Sequence, residues 1–189
     1  PGIVELNADE YFKPVKLPSR HQSIKPGSYG ETAKPLAFTF KNTMKLSVSV
    51  FSSLLTDYLQ TIVSWGQLRI TLNGKGYVSL YYGDVRIITS KEPIISAEWY
   101  TISVEIWKGQ KTVLCIRNQM TGVEEQTYTK NPKRGINLDG FESAKIRVAT
   151  DQSKTEFFNG KIEAPEITVD GKTILKYDFS QQIPLFEVP

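Results

Sequence analysis

Residues 99–107 read WYTISVEIW. In an extended chain successive side chains point to opposite faces. Tyr100, Ile102, Val104 and Ile106 therefore share one face, and Trp99, Thr101, Ser103, Glu105 and Trp107 share the other. One apolar face and one mixed face over nine residues predict a half-buried strand. Lys108-Gly109-Gln110-Lys111 supplies a turn, and TVLCIRN after it supplies a hairpin partner.

The same pattern extends in both directions. Upstream, residues 45–52 (KLSVSVFS) set Leu46, Val48 and Val50 inward and Ser47 and Ser49 outward. LAFTFK at 36–41 alternates too and is expected to form a strand. TIVSWG, LRITLN, YVSLYY and VRIITS follow, with turns at Asn73-Gly74, Lys75-Gly76 and Gly83-Asp84. Downstream come EEQTYT, AKIRVAT, GKIEAPEITV and TILKYDFS. SLLTDYLQ at 53–60 is expected to make a helical turn or two at most. Alternation with turns at short, regular spacing predicts an all-β, antiparallel two-sheet sandwich or jelly roll. Residues 1–35 carry prolines at 14, 18, 26 and 35 and read as short edge strands and turns, with Pro26-Gly27 at the centre of a type II turn. The whole of 1–189 reads as one domain, a length that buries about 70% of the unfolded chain's surface.

In FFNGKIEAPEI at 157–167, Phe158, Gly160 and Ile162 share a face. Gly160 there suits a close approach of another backbone. Lys161 and Glu163 face the other way. Glu163 and Glu166, with Pro165 between them, are not expected on one face and make a poor acid–base pair. Glu124 and Glu125 are adjacent and so face opposite sides of a strand.

Composition narrows the chemistry. The net charge is +3 from 23 basic and 20 acidic side chains, far from a nucleic-acid footprint. The densest basic patch, Lys130 to Arg134, reads as a solvated turn. Cys115 is the only cysteine, which excludes an internal disulfide and fits a reducing, cytoplasmic setting, although large β domains are also secreted without bridges. It lies in the apolar run VLCIR and is expected to be a buried, inert thiol. His21 is the only histidine, so no two-histidine metal site exists, and its PSRHQS setting has no nucleophile elbow. No apolar run approaches the roughly 20 residues of a membrane span. Asp57, Asp84, Asp139 and Asp151 read as loop residues and leave calcium as the sole metal reading, but they do not cluster as a calcium shell requires. No cofactor is expected.

The order of these segments resembles the concanavalin A-like, laminin-G-like jelly rolls. TIVSWG, WYTISVEI, GQKTVLCIRN and FFNGKIEAPEI are similar to successive strands of that superfamily, with Glu163 where the family often has Asp. A narrower resemblance lies in QSIKPGSYGE and ILKYDFSQQIPLFEVP, which look like the lectin-like N-terminal region of N,N-dimethylformamidase large-subunit-like proteins. That resemblance implies a non-catalytic accessory domain, in a longer chain whose amide-cleaving residues lie downstream. The chain's start at Pro1 fits such a fragment. The downstream domain or a subunit is then the expected partner, with no nucleic acid and no membrane.

Two other functions remain open. In a carbohydrate-binding module of this shape, Trp107 is the leading ligand-contact candidate, beside Glu105, with Tyr82 (or Tyr81) and Arg86 expected on nearby strands. Trp65 and Trp99 read as packing residues. A glycoside hydrolase needs two carboxyls on one face, and no E-x-D-x-x-E strand occurs. No catalytic residue is assigned.

Overall fold

A computed structural model of the chain describes residues 4–5, 29–32, 34–35, 38–132 and 144–176. His21, Asp139, the Pro26-Gly27 turn and the chain after Lys176 lie outside the described residues. Among the described residues there is no helix. The strands are β1 (Val4–Glu5), β2 (Gly30–Glu31), β3 (Thr43–Ser52), β4 (Gln60–Trp65), β5 (Leu68–Leu72), β6 (Val78–Tyr82) and β7 (Val85–Thr89). They continue with β8 (Trp99–Trp107), β9 (Lys111–Asn118), β10 (Glu124–Lys130), β11 (Ile146–Val148), β12 (Gly160–Val169) and β13 (Lys172–Lys176).

Among the described residues they form two antiparallel sheets. One has seven strands in the order β1-β12-β3-β8-β9-β10, with β13 also on β12. The other has six, β2-β11-β4-β5-β6-β7. The alternation seen in sequence is what joins them. Val48, Val50, Ile102 and Leu114 of the first sheet and Ile70, Leu72 and Val78 of the second are all buried in one core. Each such side chain contributes about 1.5–3 kcal/mol by leaving water.

Three local readings are corrected. Residues 38–41 form no strand. The carboxylate of Asp170 instead accepts the backbone N–H groups of Lys41, Asn42 and Thr43 at 2.7, 2.7 and 3.0 Å. Donors held by a side chain are lost to a ladder. Phe40 is still buried, and Phe38 stacks on buried Trp65 at 4.7 Å. Residues 53–59 make bends and no helical turn.

The third correction concerns β12. Glu163 pairs with Ser49, but Glu166 pairs with Ser47, so Ala164 and Pro165 together face Val48. This bulge adds one residue and returns Glu166 to the face of Glu163. The two carboxylates therefore share the outer face after all. Pro165, which has no N–H to give, is the residue that suits the bulge.

Candidate functional site

Cross-strand partners share a face, so the register of the seven-stranded sheet maps its outer side row by row. Phe51 lies beside Trp99 at one end, with Lys161 next to Phe51. Then come Ser49, Thr101 and Arg117, flanked by Glu163 and Glu124. Ser47, Ser103 and Cys115 follow, flanked by Glu166 and Gln126. Lys45, Glu105, Val113 and Tyr128 make the next row. Trp107 ends β8 beside Thr43. The middle of this face is thus floored by short hydroxyl side chains, and aromatic rings stand toward both ends.

Much of the floor is internally tied. Gln119 Nε2 donates to Ser49 Oγ at 3.1 Å and to Thr101 Oγ1 at 3.0 Å. Phe51 and Trp99 pack at 5.5 Å, and Lys161 Nζ lies 5.7 Å from the Phe51 ring. Trp99 is strand-end packing and Trp65 is core, as read from sequence.

Cys115 differs from its expected burial. It alternates with buried Leu114 and Ile116, so its thiol is on the outer face, half-buried. Sγ donates to Glu124 Oε1 at 3.1 Å. Partial burial, followed by that hydrogen bond and by the Glu124 charge, pushes the thiol pKa up to about 11.

The other end of the face is less occupied. Trp107 is half-buried, with Lys111 Nζ 5.2 Å from its ring. Its carbonyl accepts Asn131 Nδ2 at 2.9 Å, and Asn131 Oδ1 accepts the Thr112 hydroxyl at 2.7 Å, which fixes this strand end. The indole Nε1 is buried without a hydrogen-bond partner among the described residues. Glu105 and Lys45 lie opposite one another, yet no ion pair joins them among the described residues. Tyr128 stands 76% exposed on β10. It is two strands from β8, about 10 Å away at the usual strand spacing. Here the chain offers two aromatic rings, a carboxylate and ammonium groups on one polar surface.

Of the four ligand-contact candidates, Trp107 and Glu105 are brought together. Tyr82 and Arg86 are not near them in the ladder, because β6 and β7 belong to the six-stranded sheet. Tyr82 packs against the core. Arg86 is exposed and pairs in register with Tyr81, whose ring instead carries the Arg69 guanidinium at 4.4 Å. Sequence reasoning missed Tyr128, although a tyrosine among the polar residues of EEQTYTK was a usable signal.

The loop aspartates take other roles. Asp57 and Asp84 are exposed. Asp151 is buried, which pushes its carboxyl up. The N–H groups of Glu156 and Thr155, at 2.9 and 2.7 Å, and the Thr155 hydroxyl at 2.8 Å outweigh this and hold it below the usual carboxylate range. Among the described residues no group of three His, Cys, Asp or Glu side chains could hold a metal ion.

No protein-family model matches the sequence, and no curated protein matches it. Solved structures do. The LG1-3 region of the laminin α2 chain matches at 12% identity and a TM-score of 0.61, over 81% of this chain and 31% of that one. A candidate carbohydrate-binding protein from Bacteroides ovatus matches at 14% identity and a TM-score of 0.57, over 79% of this chain and 49% of that one. Domain 4 of AbnA, an extracellular GH43 arabinanase from Geobacillus stearothermophilus in complex with arabinotriose, matches at 16% identity and a TM-score of 0.54. That match covers 80% of this chain and 71% of that one. At such identities the likeness is one of fold. The chain shares that fold, an all-β, antiparallel two-sheet jelly roll. It spans about a third of the laminin structure and about half of the Bacteroides protein.

Proposed function

We propose that the chain is a lectin-like module, a non-catalytic binding domain of a longer protein that takes carbohydrate on the outer face of its seven-stranded sheet. The observation that carries this reading is the group of Trp107, Glu105, Lys45 and Tyr128 on one face, with Glu105 and Lys45 side by side and in no ion pair among the described residues. A sugar ring has an apolar C–H side and a rim of hydroxyls. Aromatic faces suit the first, and a carboxylate acceptor with an ammonium donor suits the second. Two neighbours in fold support the same class: the Bacteroides protein by its description, and the AbnA domain by its bound arabinotriose.

Calorimetric titration with oligosaccharides chosen on a glycan array tests this. Saturable binding is expected, about tenfold or more weaker in Trp107→Ala and in Tyr128→Ala, and unchanged in Arg86→Ala on the other sheet. Absence of any saturating glycan, or binding indifferent to both aromatic substitutions, overturns the proposal.

The narrower reading is an accessory domain of an enzyme similar to the N,N-dimethylformamidase large subunit, packed on an amide-hydrolysing domain. The terminal segments QSIKPGSYGE and ILKYDFSQQIPLFEVP support it. So do the exposed apolar side chains Leu54, Ile95, Met120 and Val123 on connections between strands, at 58%, 59%, 87% and 70% exposure. Sequencing the full reading frame decides this point. A downstream domain of several hundred residues is the expected result, and a stop codon soon after Pro189 refutes it.

A further inference from the structure

β10 is the last strand of the seven-stranded sheet, bonded to β9 on one side and to no strand on the other among the described residues. The ends of the β9–β10 hairpin show which residues turn their backbone groups outward. Asn118 N–H donates to the Val123 carbonyl, and Asn131 N–H donates to the Gln110 carbonyl. Bonded and non-bonded pairs alternate along an antiparallel ladder. Glu125, Thr127 and Thr129 therefore exchange bonds with β9. Glu124, Gln126, Tyr128 and Lys130 direct their N–H and C=O groups to the free edge. The side chains of those same four residues are exposed on the outer face.

A strand edge with free donors and acceptors is a template for another strand. The residues of EEQTYTK decide which strand fits. Set against itself antiparallel, with a two-fold axis at Thr127, this strand brings Glu124 opposite Lys130 of the second copy at both ends. Gln126 falls opposite Tyr128. The four residues with outward backbone groups then become the hydrogen-bonded pairs, so charge and bonding parity select the same register. A slip of two residues one way sets Gln126 opposite Gln126 and leaves Lys130 facing Gly122. A slip the other way sets Tyr128 opposite Tyr128 and leaves Glu124 facing Pro132. Parallel in-register pairing puts like charge on like charge, which is destabilising.

We infer that β10 is a homodimer interface, in which two copies of the chain join edge to edge in the Glu124–Lys130 register. The contact is isologous, as closed two-fold dimers are. The two seven-stranded sheets become one continuous sheet with both outer faces on the same side. Whatever those faces bind, the pair binds it bivalently. The inference does not depend on the identity of that ligand. An interface of one strand per copy is small, and its dissociation constant is in about the micromolar range.

Sedimentation velocity on the chain, from about 1 µM to about 500 µM, reads the association directly. A monomer–dimer equilibrium is expected. Lys130→Glu sets two carboxylates opposite each other at both ends and raises the dissociation constant about tenfold or more. The double variant Glu124→Lys, Lys130→Glu restores the opposite charges and the dimer. Gln126→Pro removes only an N–H on the free edge, so the β9–β10 ladder and the circular dichroism spectrum persist while association is lost. A chain that stays monomeric throughout, a dimer indifferent to Lys130→Glu, or a charge swap that fails to restore association overturns the inference.

Discussion

Cys115 shows how far a single residue could be read in advance. Its apolar neighbours Leu114 and Ile116 are buried as their spacing implied, and the thiol between them necessarily faces outward. The flanking sequence contained that alternation. It did not contain Glu124, which reaches Cys115 only because β10 folds back on β9. The consequence is chemical. With its pKa raised to about 11, the thiol holds little thiolate near neutrality. At pH 8 the thiolate fraction is roughly a hundredfold below that of an ordinary cysteine. Iodoacetamide is therefore expected to alkylate native Cys115 far more slowly than the unfolded chain. Glu124→Gln, which removes a neighbouring negative charge, should speed the reaction. Alkylation of the native protein at the rate of a free thiol would contradict this account.

Strands were the most legible elements, and irregularities within them the least. Leu46, Val48 and Val50, or Ile102, Val104 and Ile106, announce a buried face because each lies two residues from the next. The bulge at Ala164 and Pro165 breaks that count by one residue, and a period-two pattern on its own conceals the slip. Pro165 was the available sign, since proline is tolerated in a strand at such a site. Gly160 was read correctly as a point of close approach. A Cβ built there would collide with the Phe51 carbonyl oxygen and would lie 2.8 Å from the Phe158 ring. Gly160→Ala must push apart β12, β3 and a buried aromatic side chain. Overpacking of this kind costs about 3 kcal/mol. Urea unfolding followed by tryptophan fluorescence should show the midpoint moving down at unchanged slope. A loss below about 0.5 kcal/mol, typical of surface positions, would show that the backbones can separate freely.

At the scale of the whole molecule, the sequence carried the two-sheet body but not the allotment of strands to sheets. Tyr82, Arg86 and Trp107 lie within 26 positions of one another, yet β6 and β7 join one sheet and β8 the other. Local alternation is the same for either allotment, so only long-range pairing separates them. The connections between the sheets depend on two aspartates. Asp151 organises the segment that carries the chain from β11 in one sheet to β12 in the other. Asp170, at the β12–β13 turn, holds the entry to β3 through three backbone N–H groups. Both carboxyls are held below their usual range, Asp151 by N–H groups that outweigh its burial and Asp170 chiefly by the N–H of Lys41, then those of Thr43 and Asn42. A carboxyl with a lower pKa folded than unfolded binds fewer protons in the native state. Its stabilisation is complete above the unfolded value of about 3.9 and is lost as pH falls through the folded value. The thermal midpoint should therefore stay nearly level from about pH 7 to about pH 5 and then drop steeply below about pH 4. Asp151→Ala leaves the N–H groups of Thr155 and Glu156, which sit in a part-buried turn, without their acceptor. It should cost about 1–3 kcal/mol at neutral pH and flatten the acid drop. A wild-type midpoint that holds steady down to about pH 2, or an Asp151→Ala variant with an unaltered acid slope, would remove these carboxylates from the forces that keep the two sheets joined.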